Sequence, residues 1–172
     1  VLIKMMSFFV KAIISVNSNL KKWAKEKLNC KKVYFLNNFA EFTNHKKITE
    51  LKGVKVKRIT KIAAFREQKD HLNLLKAFKT VLIKNPNYTL HLIGATNDSK
   101  YYNELKDYVD KEQLKKSVFF YGACMDIKNI LNQTSIGVLS SKSEGLPVSL
   151  LEYGLAKLPV LVTDVGECKK VI

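Results

Sequence analysis

From Arg58 onward the chain alternates short apolar runs with amphipathic stretches of helical period, and few folds accept that order. The run Ile59–Phe65 precedes the polar turn REQKD and then a helical pattern with Leu74, Leu75, Phe78, Val81 and Leu82 on one face. Asn85-Pro86-Asn87 ends it. Tyr88–Ile93 reads as the next strand, Ser99–Glu112 as a helix buried through Tyr102, Leu105, Tyr108 and Val109, and Val118–Tyr121 as a further strand. A short helix over Asp126–Gln133, with Asp126 placed to cap it, leads to a strand at Ile136–Leu139. A helix over Pro147–Ala156, with proline at its start, leads to a strand at Val160–Thr163. Such alternation implies parallel strands joined by crossover helices. The expected fold class is therefore α/β, a Rossmann-like parallel sheet with helices on both faces. Ligands in such sheets sit beyond the C-terminal strand ends. Gly94, Gly122 and Gly166 all fall there; each alone is an ordinary turn glycine, and their shared position is what favours a binding role.

Residues Val1–Lys57 do not share this repeat. FVKAIISV reads as a strand, Ser18 as the cap of a helix carrying Leu20, Trp23, Ala24 and Leu28 on one side, and KKVYFLNNF as a strand and turn. Trp23 is expected in the core. AEFTNHKKITELKGVKVK reads as a polar, basic connector. The expected organisation is the tail of a preceding domain plus linker over residues 1–57, and a second, Rossmann-like domain over residues 58–172. The opening VLIKMMSFFVKAIISV faintly resembles a signal peptide. Lys4 and Lys11 interrupt it and no small-residue cleavage site follows, so a buried strand or helix end is expected.

With 47% hydrophobic and 10% aromatic residues, the chain can bury a core and is not of disordered composition. Its charge is lopsided: 30 Lys+Arg against 15 Asp+Glu, formally +15, with Arg58 and Arg66 the only arginines. The lysines are dispersed, which fits a solvated surface and also fits attraction to an anionic membrane or anionic substrates. Groove readers of nucleic acid rely on arginine, and no nucleic-acid motif is visible, so no nucleic-acid partner is expected. Cys30, Cys124 and Cys168 lack metal or disulfide spacing and fit a reducing cytoplasm; no metal is expected. No apolar run is long enough to span a bilayer.

Residues Glu144–Glu152 read EGLPVSLLE: two carboxylates bracket a Gly-Leu-Pro turn and the start of an apolar helix, between strand-like VLSS and PVLVTDVG. A helix N-terminus supplies positive potential, and carboxylates accept hydrogen bonds from hydroxyls. This block resembles the donor-site signature of retaining glycosyltransferases of family 4. ITKIAAFREQKDHLNLLKAF, YTLHLIGA, VFFYGACMDIKNIL and VLVTDVGE are similar to the family's successive segments, in its order. The resemblance implies a two-Rossmann-domain glycosyltransferase (GT-B) architecture, of which residues 58–172 are the donor-binding domain and the segment through NNF the end of the N-terminal one.

The resemblance also implies roles. The leaving group is a nucleoside diphosphate, and cations stabilise the charge that grows on it without a metal. Lys69 falls on the family's lysine position. Ala64 falls on its arginine position, and Arg66 in the same loop is the candidate replacement. Glu144 corresponds to the glutamate that contacts the transferred sugar near the reacting carbon. Lys69, Arg66 and Glu144 are thus the catalytic candidates. Glu152, about a turn and a half into the helix from Pro147, corresponds to the glutamate that accepts from the ribose hydroxyls. Gly145, Leu146 and Pro147 form a donor-binding turn, in which the N–H groups of Gly145 and Leu146 contact sugar or phosphate oxygens. Tyr121, Gly122, Ala123 and Cys124 resemble the loop whose main chain reads the base, and Gly94 joins the donor-binding set. His71 is expected on a helix surface. Ser140, Ser141 and Ser143 are expected to hydrogen-bond in the loop before Glu144.

The implied ligands are a UDP- or GDP-sugar donor and a carbohydrate or lipid-linked acceptor, with no other cofactor. A cytoplasmic protein, with peripheral contact at the inner face of an anionic membrane, is the expected setting for building a surface polysaccharide or glycolipid. The family pattern expects strands before Val1 and strand–helix units after Ile172, so the chain is expected to bind a nucleotide sugar weakly and to need the remainder of the fold or a partner chain for transfer. Two alternatives stay open: a nucleotide-sugar epimerase on the same architecture, and a non-catalytic partner that keeps the fold, supported by Ala64.

Overall fold

The computed structural model describes residues 6–28, 30–96 and 99–172, without the side chains of Phe8 and Ser99. The start of the opening apolar stretch, Val1–Met5, lies outside the described residues. Two sheets are present among the described residues. Strands β1 (Ile13–Ser15) and β2 (Val33–Phe35) pair in parallel around helix α1 (Ser18–Lys27). The larger sheet holds β3 (Arg58–Ile62), β4 (Thr89–Ile93), β5 (Val118–Gly122), β6 (Ile136–Leu139) and β7 (Val160–Val162), all parallel, in the order β5-β4-β3-β6-β7. Helices α2 (His71–Lys84), α3 (Ser99–Lys111), α4 (Ile127–Asn132) and α5 (Val148–Leu155) connect its strands.

Strand alternation sorts the core onto two faces. Leu90, Leu92 and Val138 pack with Leu74, Leu75 and Phe78 of α2 and Leu105 and Val109 of α3. Leu139 packs on the opposite face with Leu150 and Tyr153 of α5, Leu131 and Cys168. Ile93 meets Ile130 of α4 and Leu51 of the connector. The expected doubly covered sheet is therefore present, each strand within a residue or two of its sequence position except β3, which ends at Ile62 rather than running to Phe65.

Strand order reverses between β3 and β6, and there the sheet opens. The two strands pair only through Ile59 with Ile136 and Thr60 with Gly137. Beyond that point the β3 side stays with β4: Ala63 donates its amide to Ile93 at 2.9 Å and Phe65 to Ala95 at 3.0 Å. The β6 side stays with β7 through the Thr163 amide on the Leu139 carbonyl at 2.9 Å. Tyr153 of α5, fully buried, fills the base of the gap. Its hydroxyl accepts from the Ile62 amide at 2.9 Å and donates to the Val138 carbonyl at 3.2 Å. Gly137 makes room for the ring, since a Cβ there would lie 2.7 Å from it.

Several local expectations are corrected. Asn17, not Ser18, caps α1, its side-chain oxygen accepting from the Leu20 amide at 2.7 Å; Ser18 instead donates to Glu167. Trp23 and Leu20 are each 44% exposed, and α1 is buried through Ala24. Val81 is exposed rather than on the buried face of α2, while Tyr101, one residue before the expected Tyr102, is the more deeply buried aromatic of α3. His71 is fully buried, because it opens α2 beneath the loop and packs on Phe65, ring centroids 4.8 Å apart.

Asp126 does not cap α4 through its side chain. Its carboxylate accepts from the amides of Ile48 and Thr49 at 2.9 and 2.8 Å, from the Thr49 hydroxyl at 2.8 Å and from Asn129 at 3.0 Å. The connector is thus fastened to the larger sheet rather than free. Burial by itself raises this carboxyl; the hydrogen bonds from Thr49, Ile48 and Asn129 outweigh it and hold the group well below the usual carboxylate range.

Two measurements check this architecture. Tyr153→Phe strands the Ile62 amide in a buried gap and should cost about 1–3 kcal/mol in urea denaturation. Because Asp126 is held below its ordinary pKa of about 4, its stabilisation is complete above that value and disappears as pH falls beneath it. The denaturation midpoint of Asp126→Asn should therefore lie below that of the unchanged chain at pH 7, with the difference shrinking toward pH 3.

Candidate functional site

The gap between β3 and β6 leads into a crevice whose walls are the loop after β3, residues 63–70, and the loop after β6, residues 140–147. Crevices at such reversal points are where open parallel sheets take ligands. The first loop ends in a short 3-10 turn, Glu67–Lys69, and in Asp70 at φ 51, a left-handed conformation that turns the chain sharply into α2. The second carries Ser140, Ser141, Ser143 and the Glu144-Gly145-Leu146-Pro147 turn, with Pro147 just before α5.

The two loops are stitched together. The Lys142 amide donates to the Gln68 carbonyl at 2.8 Å, and the Gln68 side chain donates to the Ser143 carbonyl at 2.8 Å. Lys69 Nζ meets Glu144 Oε1 at 2.7 Å, the glutamate side chain being 6% exposed and the lysine 23%. Sequence-distant Lys69 and Glu144 are thereby brought into contact. Arg66 stands exposed in the same loop, and its guanidinium is in no ion pair among the described residues. Ala64 is half-buried near the end of β3.

A third segment props the turn from behind. The Glu167 amide donates to the Gly145 carbonyl at 3.0 Å, and the Thr163 hydroxyl to the Ser141 carbonyl at 2.8 Å. Gly166, at φ 61, lies against the turn so closely that a Cβ would overlap the Glu144 carbonyl. From the other side, Asn38 Nδ2 donates to the Leu146 carbonyl at 2.6 Å. Between the β1–β2 unit and α5 lies a cleft of about 490 Å³ whose lining includes Phe35, Asn37, Asn38, Leu146, Leu151 and Glu167.

Glu152 is half-buried on α5 and joins no ion pair among the described residues. Burial pushes its carboxyl up. Gly94 sits where β3 and β4 leave the sheet, so near the Ala63 carbonyl that a side chain would collide with it, and its amide donates to the Gly122 carbonyl at 2.8 Å. Gly122, at φ 67, turns the chain after β5 with open space where a Cβ would be. Ala123 is exposed and Cys124 half-buried beside it. The Tyr121 hydroxyl points away into a buried chain, 3.0 Å from His91 Nδ1, whose other ring nitrogen is 2.9 Å from the Thr89 hydroxyl. Burial, aided by Arg58, pushes His91 down to about 4. Among the described residues no three His, Cys, Asp or Glu side chains converge as a metal site.

Sequence reasoning missed Lys61. It lies on β3 at 1% exposure and reaches both loops, donating to the Lys69 carbonyl and to Ser140 Oγ at 2.6 Å. The available signal was a lysine inside an otherwise strand-like run. Ser140 and Ser143 hydrogen-bond within the loop as expected, whereas the buried Ser141 hydroxyl has no partner among the described residues.

Residues 42–172 match the family model described as glycosyl transferases group 1. The chain belongs to that family. An uncharacterised glycosyltransferase of Methanocaldococcus jannaschii is 33% identical over 103 residues, 60% of this chain and 25% of the relative. An Escherichia coli UDP-Gal:alpha-D-GlcNAc-diphosphoundecaprenol alpha-1,3-galactosyltransferase is 31% identical over 110 residues, 62% of this chain and 28% of the relative. The chain thus spans about a quarter of the length of these relatives. HepE of Anabaena, crystallised with UDP-glucose, superposes with a TM-score of 0.81 at 14% identity, covering 99% of this chain and 49% of HepE. TarM of Staphylococcus aureus does so at 0.77 and 17% identity, over 99% of this chain and 33% of TarM. The fold of this group 1 member is that of the two-Rossmann-domain glycosyltransferases, of which it covers a part.

Gly166→Ala tests how the site is supported. Strain at a positive φ and the clash with Glu144 should cost about 1–3 kcal/mol and should speed amide hydrogen exchange at Gly145 and Leu146.

Proposed function

We propose that this chain forms the donor-binding half of a retaining glycosyltransferase that moves a sugar from a nucleoside diphosphate sugar to a carbohydrate or lipid-linked acceptor. The observation that carries this reading is the meeting of Lys69 with Glu144 at the mouth of the β3–β6 crevice. A lysine ammonium has three donors, so Lys69 can keep Glu144 in place and still donate to phosphate oxygens. As the bond to the sugar breaks, charge grows on the diphosphate, and a fixed cation there lowers the barrier without having to reorganise. Glu144, held by Lys69 and by the propped turn, faces the sugar. Arg66 is the further cation: exposed and in no ion pair among the described residues, it can swing onto the diphosphate.

Glu152 supports the pentose contact. It is a partly desolvated carboxylate without an ion pair among the described residues, and two ribose hydroxyls would supply it with hydrogen bonds. The Gly145–Pro147 turn and Gly94 line the sugar and phosphate path, and residues Tyr121–Cys124 offer main-chain groups to the base. The cleft beside Leu146 is the proposed entry for acceptor. UDP is the favoured carrier, since relatives of this fold are crystallised with UDP and UDP-glucose and one relative is a UDP-galactose enzyme. We place the protein in surface polysaccharide or glycolipid assembly at the inner face of a membrane, where dispersed lysines suit anionic lipid. No helix among the described residues is long and apolar enough to cross one.

The half-buried Ala64 favours a second reading, a non-catalytic partner that binds donor without transferring it. Calorimetric titration with UDP, UDP-glucose, GDP and GDP-mannose separates these readings from a scaffold. Donor binding should weaken about 10- to 100-fold in Glu152→Ala and should weaken in Lys69→Ala as well. Unchanged affinity in both variants sinks the proposed site.

A further inference from the structure

Lys61 has no part in the donor contacts above, yet its ammonium is buried between the same two loops. It touches both walls, through the Lys69 carbonyl on one and Ser140 Oγ on the other, and Ser140 continues the link by donating to the Asp70 carbonyl at 3.1 Å. These partners are neutral. The carboxylates of Asp70 and Glu144 act on Lys61 through space, and Glu144 is already paired with Lys69. A buried ammonium without a contacting carboxylate pays a desolvation cost that a plain apolar side chain avoids. An anion arriving in the crevice would offset that cost.

We propose that Lys61 is a positioning residue whose charge completes the anion site when the diphosphate of a sugar nucleotide enters the crevice, so that donor binding draws a proton onto Lys61 Nζ. This rests on the donor-site reading. Burial pushes Lys61 down to about 7, so near neutrality the free protein holds it divided between the charged and neutral forms. Two phosphate charges in a poorly solvated crevice favour the charged form. A group whose pKa rises on binding makes binding tighter as pH falls through its range.

The groups facing Lys61 come from two elements and the segment behind them. Lys69, Asp70 and His71 approach from the loop after β3 and the start of α2, and Glu144 from the loop before α5. Cys168 lies behind Glu144. Burial, reinforced by Lys61, pushes His71 down to about 3, which leaves that ring neutral throughout the relevant range. Burial raises the Cys168 thiol. Substitution at Lys61 itself assigns the proton.

The experiment is calorimetric titration of the full chain with UDP-glucose at pH 6, 7 and 8, in buffers of different ionisation enthalpy. Each phosphate of this probe is substituted twice, once as an ester and once in the shared anhydride, and neither carries a proton that titrates near neutrality. The expected result is uptake of about half a proton per nucleotide at pH 7, as a group divided near that pH allows, with affinity falling several-fold from pH 6 to pH 8. Lys61→Met should abolish the uptake and flatten the profile. Lys61→Arg, charged throughout, should retain affinity while losing the uptake. If circular dichroism finds Lys61→Met unfolded, the unchanged chain and the arginine variant decide. UDP-glucose binding without proton uptake, or with the same uptake in Lys61→Met, overturns the role of Lys61 and leaves the donor site standing. Failure of the folded chain to bind either UDP-glucose or GDP-mannose overturns the donor site and Lys61 with it.

Discussion

The parting of β3 from β6 is the constraint on which the rest of this molecule depends. A parallel sheet must end its ladder somewhere, and each unpaired amide left behind needs a partner. Here the partner is one phenol. Tyr153 reaches from α5 across to β3 and back to β6, and Gly137 is small enough to admit it. The next residue toward the helix start is Glu152. The helix that closes the base of the gap therefore also carries the proposed ribose contact. Wedge and ligand group cannot drift apart, because they are neighbours on one rigid element.

Above that wedge, charge is held in unusual places for a chain with so large an excess of lysine. Most of that excess lies on exposed surface, but Lys61 and the side chain of Glu144 are buried and Lys69 is half-buried, all at the meeting of the two loops. Ion pairs on a wet surface contribute little to stability, while buried charge costs the fold unless it is matched. The crevice keeps its charges in a network of two loops, joined by Gln68 and Ser140 and backed by Gly166 and Glu167. Loops cross-linked in this way need little rearrangement, which is what the proposed electrostatic stabilisation of a departing diphosphate would require.

The connector gains order the same way. Asp126 grips Ile48 and Thr49, Gln133 holds the Leu51 amide at 3.0 Å, and Arg58 donates to the carbonyls of Lys52 and Gly53 at 3.1 and 2.9 Å. A basic, polar segment is thereby laid along the larger sheet, and the match to the family model accordingly begins at residue 42, inside that segment. One of the chain's two arginines is spent on this fastening, which leaves Arg66 as the exposed guanidinium beside the crevice.

Periodicity in the sequence was enough to set the strand and helix order and the parallel sheet, because those follow from which residues must be buried on one face of each element. The Glu144–Glu152 block likewise marked its own helix and turn, since Gly-Leu-Pro and the apolar run act locally. Partners distant along the chain were decided only by folding. Asp126 looked like a helix cap and became a clamp on the connector; His71 looked like a surface residue and was buried by the loop above it; Trp23 looked like core and stayed exposed because α1 turns Ala24 inward. Lys61 is the sharpest case: no neighbour in sequence explains a buried lysine there, and only the meeting of two loops, one of them bringing Ser140 from 79 positions further along the chain, gives its ammonium a place to bond.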